Sequence, residues 1–273
     1  MALNQFIFGL IVGASFNLAP LTSAAFQAST QPAKTVQVSL DVDADVLIED
    51  STHQRIGVDF KLKKFVNEIP EARTIEREGN VTFVLPFDKS GKPYTVMIAG
   101  KANTVANLSM TGPGFVVGAR KLNLTPGEIE IVTISSNGTA VSTTQSQNGP
   151  TPQLFLTSQS DRSKPSYRFE VFAGSLSRGQ TMSVELDLNA GWLKLKSTDN
   201  KKGSLTITMR RTNPNGARDT FSHRDVSFDG GYPYAMDFGR WDGKGDISFC
   251  RSISPDEGRC NLLKNEAPAT QPN

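Results

Sequence analysis

Three aspartates, Asp41, Asp43 and Asp45, alternate with Val42 and Ala44. In an extended strand their carboxylates would project from one face, because successive side chains of a strand point to opposite faces. Carboxylate oxygens grouped in this way are ligands that Ca²⁺ prefers. The spacing does not follow the EF-hand loop, which requires a glycine and a glutamate at later positions. The segment therefore predicts either a calcium site or a solvated strand face.

A second group of aspartates lies in the turn Asp242-Gly-Lys-Gly-Asp246, with Asp237 shortly before it. Its oxygen atoms offer the same chemistry, so Ca²⁺ is the one cofactor that the sequence suggests. No other cofactor is predicted.

The chain has two histidines, His53 and His223, which fall in different predicted domains. A Ser-His-Asp triad needs one of them beside a nucleophile, and no Gly-x-Ser-x-Gly elbow occurs. We therefore predict no catalytic residues and a protein that is not an enzyme. One alternative stays open, because two catalytic acids follow no rule of sequence spacing. Such a pair would combine Glu68 with Asp41, Asp43 or Asp59.

Aromatic side chains could form a platform for sugars, whose apolar faces stack on flat rings. The candidates are Tyr232, Tyr234 and Trp241. The two tyrosines follow Gly230-Gly231, so the segment predicts an exposed loop. Packing in the core is the competing interpretation for the tryptophan.

The two cysteines, Cys250 and Cys260, are separated by nine residues. In an exported protein an even, closely spaced pair predicts a disulfide. Two reduced thiols are the alternative. A zinc site is disfavoured because the Cys-x-x-Cys spacing is absent.

Apolar and polar residues alternate along many short segments, which is the period of half-buried β-strands. Turns rich in Gly, Pro and Asn separate these segments, and this arrangement favours antiparallel sandwiches. Residues 63–77 predict a loop, because Pro70 interrupts the best helical pattern. The predicted strands include residues 36–42, 81–85, 94–98, 128–134, 167–172, 182–188, 192–195, 205–209 and 247–250.

The length of 273 residues favours two domains. We predict an all-β protein of two antiparallel β-sandwich-like domains, at residues 35–135 and 154–260. Residues 136–153 are polar, with almost no apolar side chain to bury, and predict a linker. Residues 261–273 predict a flexible tail.

Residues 1–25 carry no charged side chain and include the apolar run Phe6–Phe16. This run is too short to span a bilayer and is typical of a signal peptide. Ser23, Ala24 and Ala25 fit a cleavage site before Phe26. We predict that residues 1–25 are removed, and that the mature chain is secreted or lies in the periplasm or cell envelope without a transmembrane helix. A retained anchor or an N-terminal strand is the alternative.

The charged residues nearly balance, with 29 basic against 27 acidic side chains and a formal net charge of +2. Such a chain has no long-range field for a nucleic-acid backbone or an anionic membrane. We therefore predict no nucleic-acid partner. The hydrophobic fraction of 37% excludes a polytopic membrane protein and a fully disordered chain.

Several turn motifs carry a family likeness: Arg55-Ile-Gly-Val-Asp59, Asn67-Glu-Ile-Pro70, Tyr167-Arg-Phe-Glu-Val171 and Asp237-Phe-Gly-Arg-Trp-Asp-Gly243. With them the chain resembles bacterial extracytoplasmic two-domain β-sandwich proteins of unassigned function, over roughly residues 36–250. The resemblance implies a bacterial envelope or secreted protein and leaves its partner open.

Together these patterns predict an exported, non-catalytic binding or structural protein that presents loops on rigid sandwiches. The partner would be an envelope protein or a polysaccharide. The alternatives are a carbohydrate- or peptide-binding accessory module to a hydrolase, and the carboxylate-dependent enzyme described above.

Overall fold

The computed structural model describes residues 35–77, 80–158, 163–251 and 259–267. These ranges contain twenty β-strands and no helix, so no helix within them could cross a membrane. The predicted signal peptide lies outside the described residues. The strands are β1 (Thr35–Leu40), β2 (Ala44–Glu49), β3 (Arg55–Asp59), β4 (Lys64–Asn67), β5 (Arg73–Arg77), β6 (Asn80–Pro86), β7 (Pro93–Gly100), β8 (Thr104–Gly112), β9 (Phe115–Leu124), β10 (Ile129–Ser135), β11 (Ala140–Thr144), β12 (Gln153–Ser158), β13 (Ser166–Ala173), β14 (Thr181–Asp187), β15 (Trp192–Ser197), β16 (Lys202–Thr212), β17 (Arg218–Asp229), β18 (Pro233–Asp237), β19 (Ile247–Arg251) and β20 (Arg259–Leu263).

The strands form two antiparallel sheets, which confirms the predicted all-β class. One sheet has nine strands in the order β17-β16-β13-β12-β9-β8-β1-β6-β5. The other has eleven, in the order β20-β19-β18-β15-β14-β11-β10-β7-β2-β3-β4. Buried apolar side chains from both sheets belong to one hydrophobic core.

Alternation along the strands explains how the core is enclosed. In β14 the side chains of Met182, Val184 and Leu186 are buried, while Glu185 between them is exposed. A strand with this pattern gains stability by turning its apolar face inward and leaving its polar face in water. The same rule applies in β1, where Val36 and Val38 point into the core.

The two halves of the chain occupy opposite ends of the same two sheets. β9 pairs with β12 in the nine-stranded sheet. β11 lies between β10 and β14 in the eleven-stranded sheet. Both sheets therefore continue from the first half of the chain into the second.

The predicted linker at residues 136–153 needs correction. It contains β11, and the side chains of Ser136 and Thr143 within it are fully buried. Composition misleads here because a strand in the middle of a sheet gains most from its backbone ladder, and threonine and valine suit that position. The segment is part of the fold.

Two other segments differ from prediction. The stretch at residues 63–77, predicted as a loop, contains β4 and β5 at the edges of the two sheets. The predicted flexible tail begins inside β20, and the backbone N–H of Glu266 then donates to the Ser222 carbonyl of β17 at 2.8 Å. Backbone pairing thus orders residues 261–267, and residues 268–273 lie outside the described part.

Candidate functional site

The first aspartate group does not share one face. The chain leaves β1 at Leu40 and re-enters β2 at Ala44, so a bend separates the carboxylates. Asp41 accepts hydrogen bonds from the backbone and side-chain nitrogens of Asn107 at 2.7 and 2.6 Å. Asp43 and Asp45 instead face the Lys101 ammonium at 2.7 and 3.5 Å. Asp41 therefore contacts a different protein group from Asp43 and Asp45, and the three carboxylates do not converge as the calcium prediction requires.

The second aspartate group is also dispersed. Asp242 accepts the backbone N–H groups of Lys244 and Gly245 at 2.8 and 2.9 Å, and these bonds lower its pKa. Asp237 accepts the backbone N–H of Arg240 at 3.3 Å, and Asp246 accepts that of Asn265 at 3.2 Å. Within the described residues, no three His, Cys, Asp or Glu side chains are grouped as a metal site would require.

The aromatic candidates are separated by burial. Tyr234 and Trp241 are buried, and the Trp241 indole N–H donates to the Gly245 carbonyl at 2.9 Å. The predicted exposed loop is wrong for Tyr234 because β18 begins at Pro233 and carries the tyrosine into the core. Tyr232 is 50% exposed, with the Arg251 guanidinium 3.6 Å from its ring centroid. These residues do not form a shared platform.

The cysteines are joined in a disulfide. Cys250 and Cys260 are direct partners on β19 and β20, so the bond crosses an antiparallel pair at the edge of the eleven-stranded sheet. Their role is structural in this position, because Cys250 is fully buried.

The histidines and the alternative acid pair serve local structure. His223 Nδ1 donates to the Lys264 carbonyl at 2.8 Å, while Nδ1 of the exposed His53 lies 2.6 Å from a carboxylate oxygen of Glu49 at the end of β2. Arg55 bridges Asp59 and Glu68, with distances of 2.7 and 3.0 Å. Backbone N–H groups lower the pKa of Asp59 and the guanidinium lowers that of Glu68, so both favour the ionised form. A glycosidase pair needs one protonated acid, which this arrangement opposes.

A cavity of about 550 Å³ lies where three connections meet. They are residues 145–152 between β11 and β12, residues 174–180 between β13 and β14, and residues 198–201 between β15 and β16. A bridge between Gly149 and Leu176 joins the first two connections. We term this space the loop cavity. Its polar wall groups come from Asn148, Ser175, Ser177, Asp199, Lys201, Lys202 and Ser204.

Asp199 holds two of these connections together. One carboxylate oxygen accepts the backbone N–H of Ser177 at 3.0 Å, and the other accepts that of Lys201 at 3.2 Å. Asp199 as a residue is only 8% exposed, yet the pKa of its carboxyl is lowered, chiefly by the Ser177 N–H against an opposing effect of burial. A charged carboxylate that accepts backbone donors fixes the geometry of the cavity wall.

The loop cavity presents cations and hydroxyl groups. The Lys201 ammonium donates to the Ser177 hydroxyl at 3.0 Å and lies on the exposed side beside Asp199. Lys202 is exposed next to it. The wall can therefore bind negative charge and hydroxyl groups.

Sequence reasoning missed this cavity. Neither Asp199 nor any serine or lysine of the cavity wall is among the residues that the sequence predicts to form a site. A signal was present in the density of small residues at Gly174-Ser-Leu-Ser-Arg-Gly179, because small side chains leave room for a ligand.

Comparison with known proteins adds no relative. No protein-family model, curated protein or solved structure matches the chain. A functional conclusion must therefore come from the site itself.

Proposed function

We propose that this chain is an exported, non-catalytic binding protein whose loop cavity holds a hydroxyl-rich, negatively charged ligand of the acidic saccharide class. The observation that carries the proposal is the clamp at Asp199, which fixes two connections around a wall with two exposed ammonium groups. Ligand sites commonly combine a rigid scaffold with a few converging polar groups.

The chemistry of the wall favours this ligand class. Lys201 and Lys202 would face a carboxylate or sulfate, and Asn148 and Ser204 would exchange hydrogen bonds with sugar hydroxyls. The Phe228 ring borders the same space and offers an apolar contact.

A binding role is also better supported than catalysis. The pKa of Asp199 is lowered, which opposes its use as a general acid. The Ser177 hydroxyl contacts the Lys201 side chain at 3.0 Å, which favours a place in the binding wall over a role as nucleophile.

Export is supported by three features. The N-terminal apolar run with its small-residue cleavage site has the form of a signal peptide. The disulfide between Cys250 and Cys260 suits an oxidising compartment. The turn motifs resemble those of bacterial extracytoplasmic proteins. The proposed location is therefore the secretome, periplasm or cell envelope.

Calorimetric titration with acidic and neutral oligosaccharides of equal length tests the binding function. We expect the acidic compounds to bind more tightly, and Lys202→Ala to weaken them about tenfold or more, as for the loss of a charge-assisted hydrogen bond. Lys89→Ala removes an exposed lysine of the β6–β7 connection outside the cavity wall, and it should leave affinity unchanged. Equal affinities for both compounds, or equal losses in both variants, would contradict the proposal.

A further inference from the structure

The turn between β3 and β4 exposes an unusual combination of side chains. Residues Lys61-Leu62-Lys63-Lys64-Phe65 are all exposed, with Leu62 at 61% and Phe65 at 54%. The three lysines within these five residues carry more positive charge than the formal net charge of the whole chain, which is +2. We term residues 61–65 the basic tip.

The basic tip is held by hydrogen bonds. Asp59 accepts the backbone N–H groups of Lys61 and Leu62, each at 2.9 Å, and the Lys63 N–H donates to the Asp59 carbonyl at 2.8 Å. The Arg55 guanidinium in turn contacts the Asp59 carboxylate at 2.7 Å. The acid closest to the turn is therefore already engaged, and the lysines project from a preorganised loop. Such a loop loses little conformational entropy when it binds.

The backbone of the tip includes one uncommon conformation. Lys63 has a φ of 51°, in the left-handed region that lysine seldom adopts. This conformation allows the tight turn after Asp59 and places Lys63 and Leu62 outside the sheet.

The chemistry of the tip fits a lipid surface better than a protein strand. β4 is an edge strand, but it has only four residues and Lys64 begins it, so it is a poor template for strand addition. Exposed leucine and phenylalanine with neighbouring lysines are typical of elements that enter the headgroup region of an anionic bilayer. Although the net charge gives no long-range attraction, a local cluster acts within the short range that salt leaves unscreened.

We propose that the basic tip docks this protein on an anionic lipid bilayer. Leu62 and Phe65 enter the headgroup region, and Lys61, Lys63 and Lys64 contact the anionic headgroups. This inference does not depend on the ligand of the loop cavity.

Cosedimentation with phosphatidylcholine vesicles, with and without phosphatidylglycerol, tests the docking surface. We expect binding only with phosphatidylglycerol, weakened by salt. Changing Lys61, Lys63 and Lys64 to Gln should lower the affinity at least about tenfold. The matched control changes the exposed lysines Lys121, Lys196 and Lys244 to Gln, with the same loss of charge, and should bind nearly as the unmodified protein does. All variants keep the same N-terminal segment, so differences between them report on the tip.

Two more variants test the apolar part. Leu62→Ser with Phe65→Ser should weaken vesicle binding about tenfold while its salt dependence persists. Phe65→Trp provides a fluorescent probe at the tip, whose emission should shift to the blue with anionic vesicles only. Unchanged melting temperatures would establish that the exposed substitutions leave the fold intact.

Equal binding by the two lysine variants, or no blue shift, would overturn the proposal. Absence of vesicle binding together with tip-dependent binding of an acidic apolar peptide would assign the surface to a protein partner and also overturn it.

Discussion

Two acidic residues have almost the same low solvent exposure in this protein, but their carboxyl groups lie in opposite surroundings. Asp199, in the wall of the loop cavity, is 8% exposed, and Glu130, on the inner face of β10, is 5% exposed. Asp199 accepts two backbone N–H groups, and its pKa is lowered. Glu130 accepts a hydrogen bond from the Ser146 hydroxyl, and burial raises its pKa. Burial is the dominant influence at Glu130, whereas backbone N–H groups outweigh burial at Asp199, so the fold favours opposite protonation states of the two acids.

The surroundings of Glu130 are short of partners. Among the described residues, the second carboxylate oxygen of Glu130, Oε2, has no hydrogen-bond partner. The same holds for Oγ1 of Thr143 in the neighbouring strand β11 and for Nε2 of Gln145, which follows that strand. Unpaired buried polar groups reduce stability, and a protonated carboxyl loses less on burial than a charged one. The buried face of β10 around Glu130 therefore lowers the stability of the fold, whereas Asp199 stabilises the cavity wall.

The two acids should give stability opposite dependences on pH. Because the folded-state pKa of Asp199 is lowered, its contribution is complete above its unfolded value of about 4 and is lost as the pH falls below it. Because the folded-state pKa of Glu130 is raised, the folded chain holds more protons than the unfolded chain, and stability declines as the pH rises from about 4 to that raised value.

The largest effect is expected from Asp199→Ala. This change leaves two backbone N–H groups of the cavity wall without their acceptor and should lower the free energy of unfolding by about 2–4 kcal/mol at neutral pH. Urea unfolding followed by circular dichroism measures it. Asp187→Ala is a control, since it also removes an acceptor of a backbone N–H but in the exposed β14–β15 turn. Equal losses of unfolding free energy in the two variants would mean that the Asp199 hydrogen bonds stabilise the fold no more than those of an exposed turn.

A smaller loss is expected from Ser146→Ala. The substitution removes the hydroxyl donor to Glu130 and should cost about 1–2 kcal/mol at neutral pH, with less loss in acid, where the carboxyl is protonated. Denaturant unfolding at several pH values measures this difference. Ser142→Ala, on the outward side of β11, provides the comparison. A loss independent of pH would contradict a raised pKa of Glu130 that titrates within the range measured.

The smallest effect, of opposite sign, is expected from Glu130→Gln. A neutral amide avoids a buried charge and should raise the free energy of unfolding by about 1 kcal/mol at neutral pH. It should also remove the decline in stability between acid and neutral pH. Glu185→Gln changes an exposed carboxylate and should preserve that decline. A destabilised Glu130→Gln variant would show that the carboxylate has a partner that stabilises its charge.

The strands that the sequence predicts well are those with one face on the core. In β14 and β1 the apolar side chains recur at every second residue, because the strand separates the core from water. The pattern fails at β4, where Phe65 is exposed at a sheet edge, and at β11, where buried Thr143 replaces an apolar residue. Local composition cannot tell a polar strand from a polar linker when the stabilising bonds are between backbones.

The candidate site was beyond sequence reasoning for a different reason. Asp199 and Ser177 are 22 residues apart, and only the pairing of several strands brings them together. Turn-forming residues can be recognised in a sequence, but the contacts between separate turns cannot. In contrast, the cysteine pair could be predicted, because its partners lie close in the chain.

The continuity of the two sheets has a consequence for how the chain unfolds. A cut between β10 and β11 would not release two finished domains. It would expose the unpaired edges of β9 and β10 on one fragment and of β11 and β12 on the other. Long free edges beside an open core invite association between fragments. The halves should therefore unfold in a single cooperative transition and aggregate when expressed apart.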